Sequence, residues 1–155
     1  FDDNFKVANI SKAKSNGVEA EIKSRIFNQL NLNLNYTFTE TKNKSDNSID
    51  KDKPLLRRPK HKISFNTNYV LNENINFNIE VVYYSKRYDL DFSTYPSQRV
   101  KLKDYTLANF SAIYTLNNFI SLSGRVENIF DADYEEVLGF GTKGRTAYLG
   151  FKLKI

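Results

Sequence analysis

Apolar and polar side chains alternate with a period of two in segment after segment, and this pattern restricts the fold more than any other feature of the chain. Leu30, Leu32, Leu34, Tyr36 and Phe38 alternate with Asn31, Asn33, Asn35, Thr37 and Thr39. Val18, Ala20, Ile22 and Ile26 alternate with Glu19, Glu21, Lys23 and Arg25. The same rhythm runs through Ile63–Leu71, Ile75–Tyr83 and Ala147–Ile155, and less cleanly through 105–116 and 120–128. A period of two is the signature of β-strands with one apolar and one polar face. The reading is all-β, with about seven antiparallel strands.

The connections alternate too. Short links at Phe27–Gln29, Leu71–Asn74 and Leu116–Phe119 take turns with long polar ones at 43–60, 87–103 and 130–144. Three such loops are unusual in a compact soluble domain. Transmembrane β-barrels combine short turns on one side with long loops on the other. Their alternating strands also average out to a polar composition, so the 26% of charged residues does not argue against them. The alternatives are a soluble β-barrel carrier and a complete eight-stranded outer-membrane barrel serving adhesion or envelope integrity. In a membrane barrel the Asn-, Glu-, Lys- and Arg-bearing faces line a wet lumen. A one-residue slip would turn Lys23 and Arg25 into lipid, costing roughly 4–8 kcal/mol on that strand. An odd strand count leaves a bare edge that lipid cannot satisfy. The stretch Asp3–Ala13 also runs into the Val18 strand without a preceding turn. A segment of a larger barrel is therefore expected.

Composition removes several function classes. With no Cys and a single His (His61), thiolate or clustered imidazole metal sites are not available. The ten Tyr and twelve Phe suit strands and aromatic girdles. The net charge of +5 is concentrated in two loops and forms no stripe interleaved with aromatics, so no nucleic-acid partner is expected. The carboxylate pairs Asp89/Asp91, Asp131/Asp133 and Glu135/Glu136 have no evident partner to tune them, so they read as loop solubilisers or calcium-tolerant surface groups. No catalytic set and no cofactor are expected. Gly-x-Gly-x-x-Gly at 139–144 opens a strand instead of a helix and fails as a dinucleotide motif; its glycines permit positive φ. His61 reads as a polar rim residue. The basic loops 42–62 and 86–103 read as a solvated outer face that meets lipopolysaccharide phosphates, part of which could steer a phosphate-bearing ligand.

Two stretches carry a family resemblance. Val126-Glu127-Asn128-Ile129-Phe130-Asp131-Ala132-Asp133-Tyr134, followed by Gly144-Arg145 and a closing strand, resembles the ending of TonB-dependent outer-membrane receptors. Pro54-Leu55-Leu56-Arg57-Arg58 and Arg87-Tyr88-Asp89-Leu90-Asp91-Phe92-Ser93-Thr94-Tyr95-Pro96 resemble the cobalamin receptors of that family in particular. The resemblance covers about Val18–Ile155. It implies that the chain is the C-terminal part of a barrel of about 22 strands, with the plug domain and earlier strands absent. It also implies a monomeric receptor in a Gram-negative outer membrane that imports a scarce small molecule (cobalamin or a siderophore) with energy from TonB acting through the plug. By motif, the resemblance implies that Arg57 and Phe92 are among the ligand-contacting residues. Arg57 would donate hydrogen bonds to amide or phosphate oxygens, and Phe92 would lie flat on the corrin. The family usually has Tyr where Phe92 stands, which removes a phenolic hydrogen bond. Family members also commonly end on an aromatic residue; here the position is Ile155, with Phe151 the nearest apolar-face aromatic.

Overall fold

The structure is a computed structural model that describes residues 12–46 and 48–154. Asp3–Ser11 and Ile155, which figure in the sequence reading, lie outside the described residues. Nine strands follow in order: β1 (Ala13–Ile26), β2 (Leu30–Asn43), β3 (His61–Asn72), β4 (Ile75–Tyr84), β5 (Arg87–Asp91), β6 (Gln98–Leu102), β7 (Tyr105–Thr115), β8 (Ile120–Glu127) and β9 (Thr146–Leu153). Seven of them form one antiparallel sheet in the order β1-β2-β3-β4-β7-β8-β9. The expected seven-stranded wall is therefore present, and β1 and β9 are its two outer strands. The sheet does not close, so the described residues do not form an eight-stranded barrel. β5 and β6 make a separate two-stranded ribbon within the second long connection, where only a polar loop was expected.

Register carries the alternation across the sheet. Ile22, Leu34, Phe65, Val81 and Ala108 stand side by side on five successive strands. On the opposite face Lys23, Asn33, Asn66, Glu80 and Asn109 form the corresponding row. The sheet thus has one apolar and one mainly polar face. Among the described residues the apolar face has no second layer of protein against it. Ile79 is 40% exposed and Leu153 55%, and Leu32 and Phe65 are half-buried by their sheet neighbours alone. Buried hydrophobic residues are few among the described residues: Leu102, Tyr105 and Ala108. A soluble carrier would enclose this face; here it is left open.

The short turns have readable causes. At Phe27 and Asn28 the backbone is left-handed at both positions, with φ of 50° and 57°, as the tightest hairpins require. In the turn after β3, the Asn72 side chain accepts from the backbone N–H of Asn74 and Ile75. In the turn after β7, Asn117 does the same for Phe119 and Ile120. Both are Asx turns, which explains why Asn recurs at these positions. A bulge between Val70 and Asn72 offsets Leu71 at the end of its strand.

Candidate ligand-binding loops

All three long connections emerge from one end of the sheet, and there they pack on one another. The clearest junction is Asp89, on the β5–β6 ribbon. Its side chain is 0% exposed, the most enclosed among the described residues. Asp89 Oδ1 accepts from Arg57 Nε of the first loop at 2.9 Å and from the Leu90 backbone N–H at 2.9 Å. Asp89 Oδ2 accepts from the Leu138 N–H of the third loop at 2.9 Å. Burial alone raises its carboxyl pKa. The N–H groups of Leu138 and Leu90, together with the Arg57 guanidinium, outweigh burial and hold the carboxyl below the usual carboxylate range. Asp89 is therefore not a surface solubiliser, as its sequence context suggested.

Further ties join the same three loops. Arg87, also buried, donates to the backbone carbonyls of Glu135 and Glu136 and lies over the Tyr105 ring at 5.0 Å. Tyr105 stacks in turn on Tyr84 at 5.1 Å and on Tyr134 of the third loop at 4.5 Å. Tyr84 and Tyr105 are paired on the mainly polar face of the sheet. That face turns aromatic at the long-loop end because the third loop covers it. On the other flank, Arg99 of β6 donates to the Pro54 carbonyl, pairs with Asp50 at 3.5 Å and stacks on Tyr88 at 4.9 Å.

The third loop begins at a second hub. Asn128 is buried with φ of 50°, in the left-handed region where Asn is tolerated better than most residues. Its amide donates to the carbonyls of Ala132 (3.0 Å) and Lys143 (3.3 Å) and accepts from the Ala132 N–H (2.9 Å). Asp131, at φ 53°, accepts from the Arg145 N–H at 2.7 Å. A β-carbon on Gly144 would come within 2.8 Å of that Asp131 carboxylate, so a side chain there would push the carboxylate away from the Arg145 N–H. Of the three glycines expected to favour positive φ, only Gly139 has it (76°). The Asn-Ile-Phe-Asp and Gly-Arg motifs thus close the loop on itself.

Arg57 stands in the first loop with its side chain 47% exposed. Its backbone is left-handed (φ 57°), an uncommon state for Arg that costs about 1–2 kcal/mol. The Arg57 N–H donates to the Tyr88 carbonyl at 2.7 Å, so both backbone and side chain are tied to the ribbon. Phe92 follows directly on β5, at the ribbon tip, and is 63% exposed. The fold therefore brings both sequence-predicted residues onto one ribbon, Arg57 clamped against it and Phe92 projecting from its end. Three lysines of the basic first loop are matched by its own acids: Lys44 with Asp52, Lys51 with Asp46 and Lys53 with Asp50. Exposed pairs of this kind add little stability, but they discharge part of the expected basic rim. His61 is not simply a rim group. It lies on the apolar face opposite Phe38, with Nδ1 2.9 Å from the Tyr36 hydroxyl.

Sequence reasoning missed Asp89 and Arg87 as structural elements. A usable signal was present: in Arg87-Tyr88-Asp89-Leu90-Asp91 the charged residues alternate, which puts Arg87 and Asp89 on one strand face.

Comparison with known proteins agrees with this architecture. The ferripyoverdine receptor of the Pseudomonas aeruginosa outer membrane superposes with a TM-score of 0.76 at 20% identity, over 91% of this chain and 19% of its own. The ferric-catecholate import receptor Fiu of E. coli K12 gives 0.77 at 18% identity, over 91% and 21%. The siderophore receptor PiuA of Acinetobacter baumannii gives 0.74 at 18%, over 91% and 22%. At these identities the likeness is one of fold, and the chain spans about a fifth of each of these proteins. A family model described as "TonB dependent receptor-like, beta-barrel" matches residues 1–129. The chain belongs to the TonB-dependent receptor-like β-barrel family.

Proposed function

We propose that this chain forms part of the barrel wall and the extracellular loops of an outer-membrane receptor that actively imports a scarce nutrient, with cobalamin as the first reading of its substrate. The observation that carries the transport reading is the single-layer sheet, with a predominantly apolar face open on one side and a mainly polar face on the other. Lipid is the solvent such an apolar face requires, and a water-filled or plug-filled lumen suits the polar one. The seven strands then belong to the C-terminal end of a barrel of about 22 strands. TonB would supply energy through a plug lying elsewhere in the complete protein. The barrel would act as a monomer, its loops set among the lipopolysaccharide of the outer leaflet. The chain supplies binding and passage and performs no catalysis.

The cobalamin reading rests on the Pro-Leu-Leu-Arg-Arg and Arg-Tyr-Asp-x-Asp-Phe-Ser-Thr-Tyr-Pro stretches and on where their key residues stand. Arg57 is held in a strained backbone state with half its side chain accessible, as a residue pre-organised for a ligand would be. Phe92 offers an exposed ring for the flat corrin. A siderophore is the second reading, favoured because the three proteins compared above bear ferripyoverdine, ferric-catecholate or siderophore in their names. Titration of the complete receptor with cyanocobalamin and with ferric siderophores separates the two. Under the first reading cyanocobalamin binds and Arg57→Ala weakens it. Binding of a ferric siderophore alone would hand the site to the second.

A further inference from the structure

We propose that Asp89 is a positioning residue for the ligand site: its buried carboxylate locks the three long loops into one unit and holds Arg57 in its ligand-facing pose. The ligand half of this inference rests on the function proposed above; the locking half does not. Both carboxylate oxygens are occupied, and by different loops. Oδ1 receives Arg57 from the first loop and Leu90 from the ribbon itself, and Oδ2 receives Leu138 from the third. Leu138 lies 49 residues from Asp89 and Arg57 lies 32 residues from it, so one side chain closes two long-range junctions. A carboxylate is the only side chain of this size with acceptor capacity on two oxygens. An asparagine has one acceptor oxygen, and its NH2 group would face an N–H donor on one side or the other.

Asp89 makes no ligand contact in this scheme, since it is fully enclosed. It acts through Arg57, whose left-handed backbone is kept in place by the Tyr88 carbonyl and whose Nε is kept in place by Oδ1. With the carboxylate gone, Arg57 regains the rotamer freedom that binding must then remove again. Simple destabilisation of the ribbon would loosen 87–102 and, through the Tyr88 carbonyl, the Arg57 amide, so Leu138 is the amide that separates the two cases. The latch predicts that the first and third loops loosen with it.

The test uses the complete receptor in detergent micelles, with Asp89→Asn and Asp89→Ala compared with the parent. Without ligand, hydrogen exchange is followed at the Arg57 and Leu138 amides, with the Thr115 amide at the short-turn end of the sheet as an internal control. In both variants exchange at Arg57 and Leu138 should accelerate together by about tenfold or more. Unchanged protection at either amide would overturn the latch, whatever the ligand is. With cyanocobalamin, Asp89→Asn should weaken binding by about tenfold but add little on an Arg57→Ala background. Additive losses in that cycle would show that Asp89 does not act through Arg57 and would remove its positioning role. Failure of the parent receptor to bind cyanocobalamin would instead overturn the ligand half, with the exchange experiment still deciding the latch.

Discussion

In the sheet, side chains such as Ile79 and Leu153 are covered only by their sheet neighbours among the described residues, while at the long-loop end Asp89, Arg87 and Asn128 are enclosed by protein. The two regions invert the usual assignment of polar outside and apolar inside. In the sheet the backbone is satisfied by its own ladder, and the side chains on one face are left for a surrounding apolar medium. Beyond the β5–β6 ribbon the described loop residues make only scattered backbone pairs, such as Arg57 with Tyr88 and Asn43 with Lys53 and Asp52. Other loop backbone groups are satisfied by buried polar side chains: Asp89 for Leu138, Arg87 for Glu135 and Glu136, Asn128 for Ala132 and Lys143. The comparison shows where each region is vulnerable. The sheet should be sensitive to charge on one face only, the loops to loss of single polar atoms.

The largest effect should come from the sheet. In the complete receptor folded into lipid vesicles, Ile79→Lys should cost about 2–4 kcal/mol in denaturant unfolding, as expected near the bilayer midplane. Asn66→Lys, in the polar row beside Glu80, should cost less than about 1 kcal/mol. Equal costs would mean that the two faces meet the same surroundings. Next in size, Asn128→Ala removes two donors and an acceptor from a buried hub and introduces a residue ill-suited to φ 50°. A loss of about 1–3 kcal/mol is expected, read as faster amide exchange at Ala132 with the sheet amides unchanged. A smaller effect separates backbone from side chain at Arg57. Arg57→Gly should restore about 1 kcal/mol of loop stability relative to Arg57→Ala, because Gly takes φ 57° without strain; ligand affinity should be equally poor in both.

The smallest effect concerns pH. Because the Asp89 carboxyl is held below its ordinary value, its contribution is complete above the unfolded carboxylate pKa of about 3.9. It is lost only as pH falls through the lower folded value. Exchange protection at Leu138, corrected for intrinsic rates, should therefore be the same at pH 5 and pH 8. A decline across that range would show that the Asp89 carboxylate is not what protects Leu138.

The two regions also differ in how legible they are in the sequence. Strands such as Leu30–Phe38 are readable because each residue's face follows from its parity, and the register then preserves that parity from strand to strand. The Asn-rich turns are readable for a similar local reason, since Asn72 and Asn117 serve amides two and three residues away. Asp89 escapes such reading because its partners, Arg57 and Leu138, are far along the chain and one of them is a backbone group that no residue type announces. His61 escapes it for a related reason: its neighbours Tyr36 and Phe38 lie across a strand pair. Arg57 and Phe92 come from motif resemblance, and periodicity says nothing about either. The ribbon that carries Phe92 is hidden because its buried face is the charged one.

The two outer strands of the sheet have a practical consequence. Produced by itself, this stretch of 155 residues would present two raw borders of amide and carbonyl groups, one along β1 and one along β9. Each border is a template for another copy, and the greasy flank beside it favours stacking. Such a preparation should collect as insoluble fibrous material instead of dispersed monomer, and refolding it would require the neighbouring staves of the cask as well as detergent.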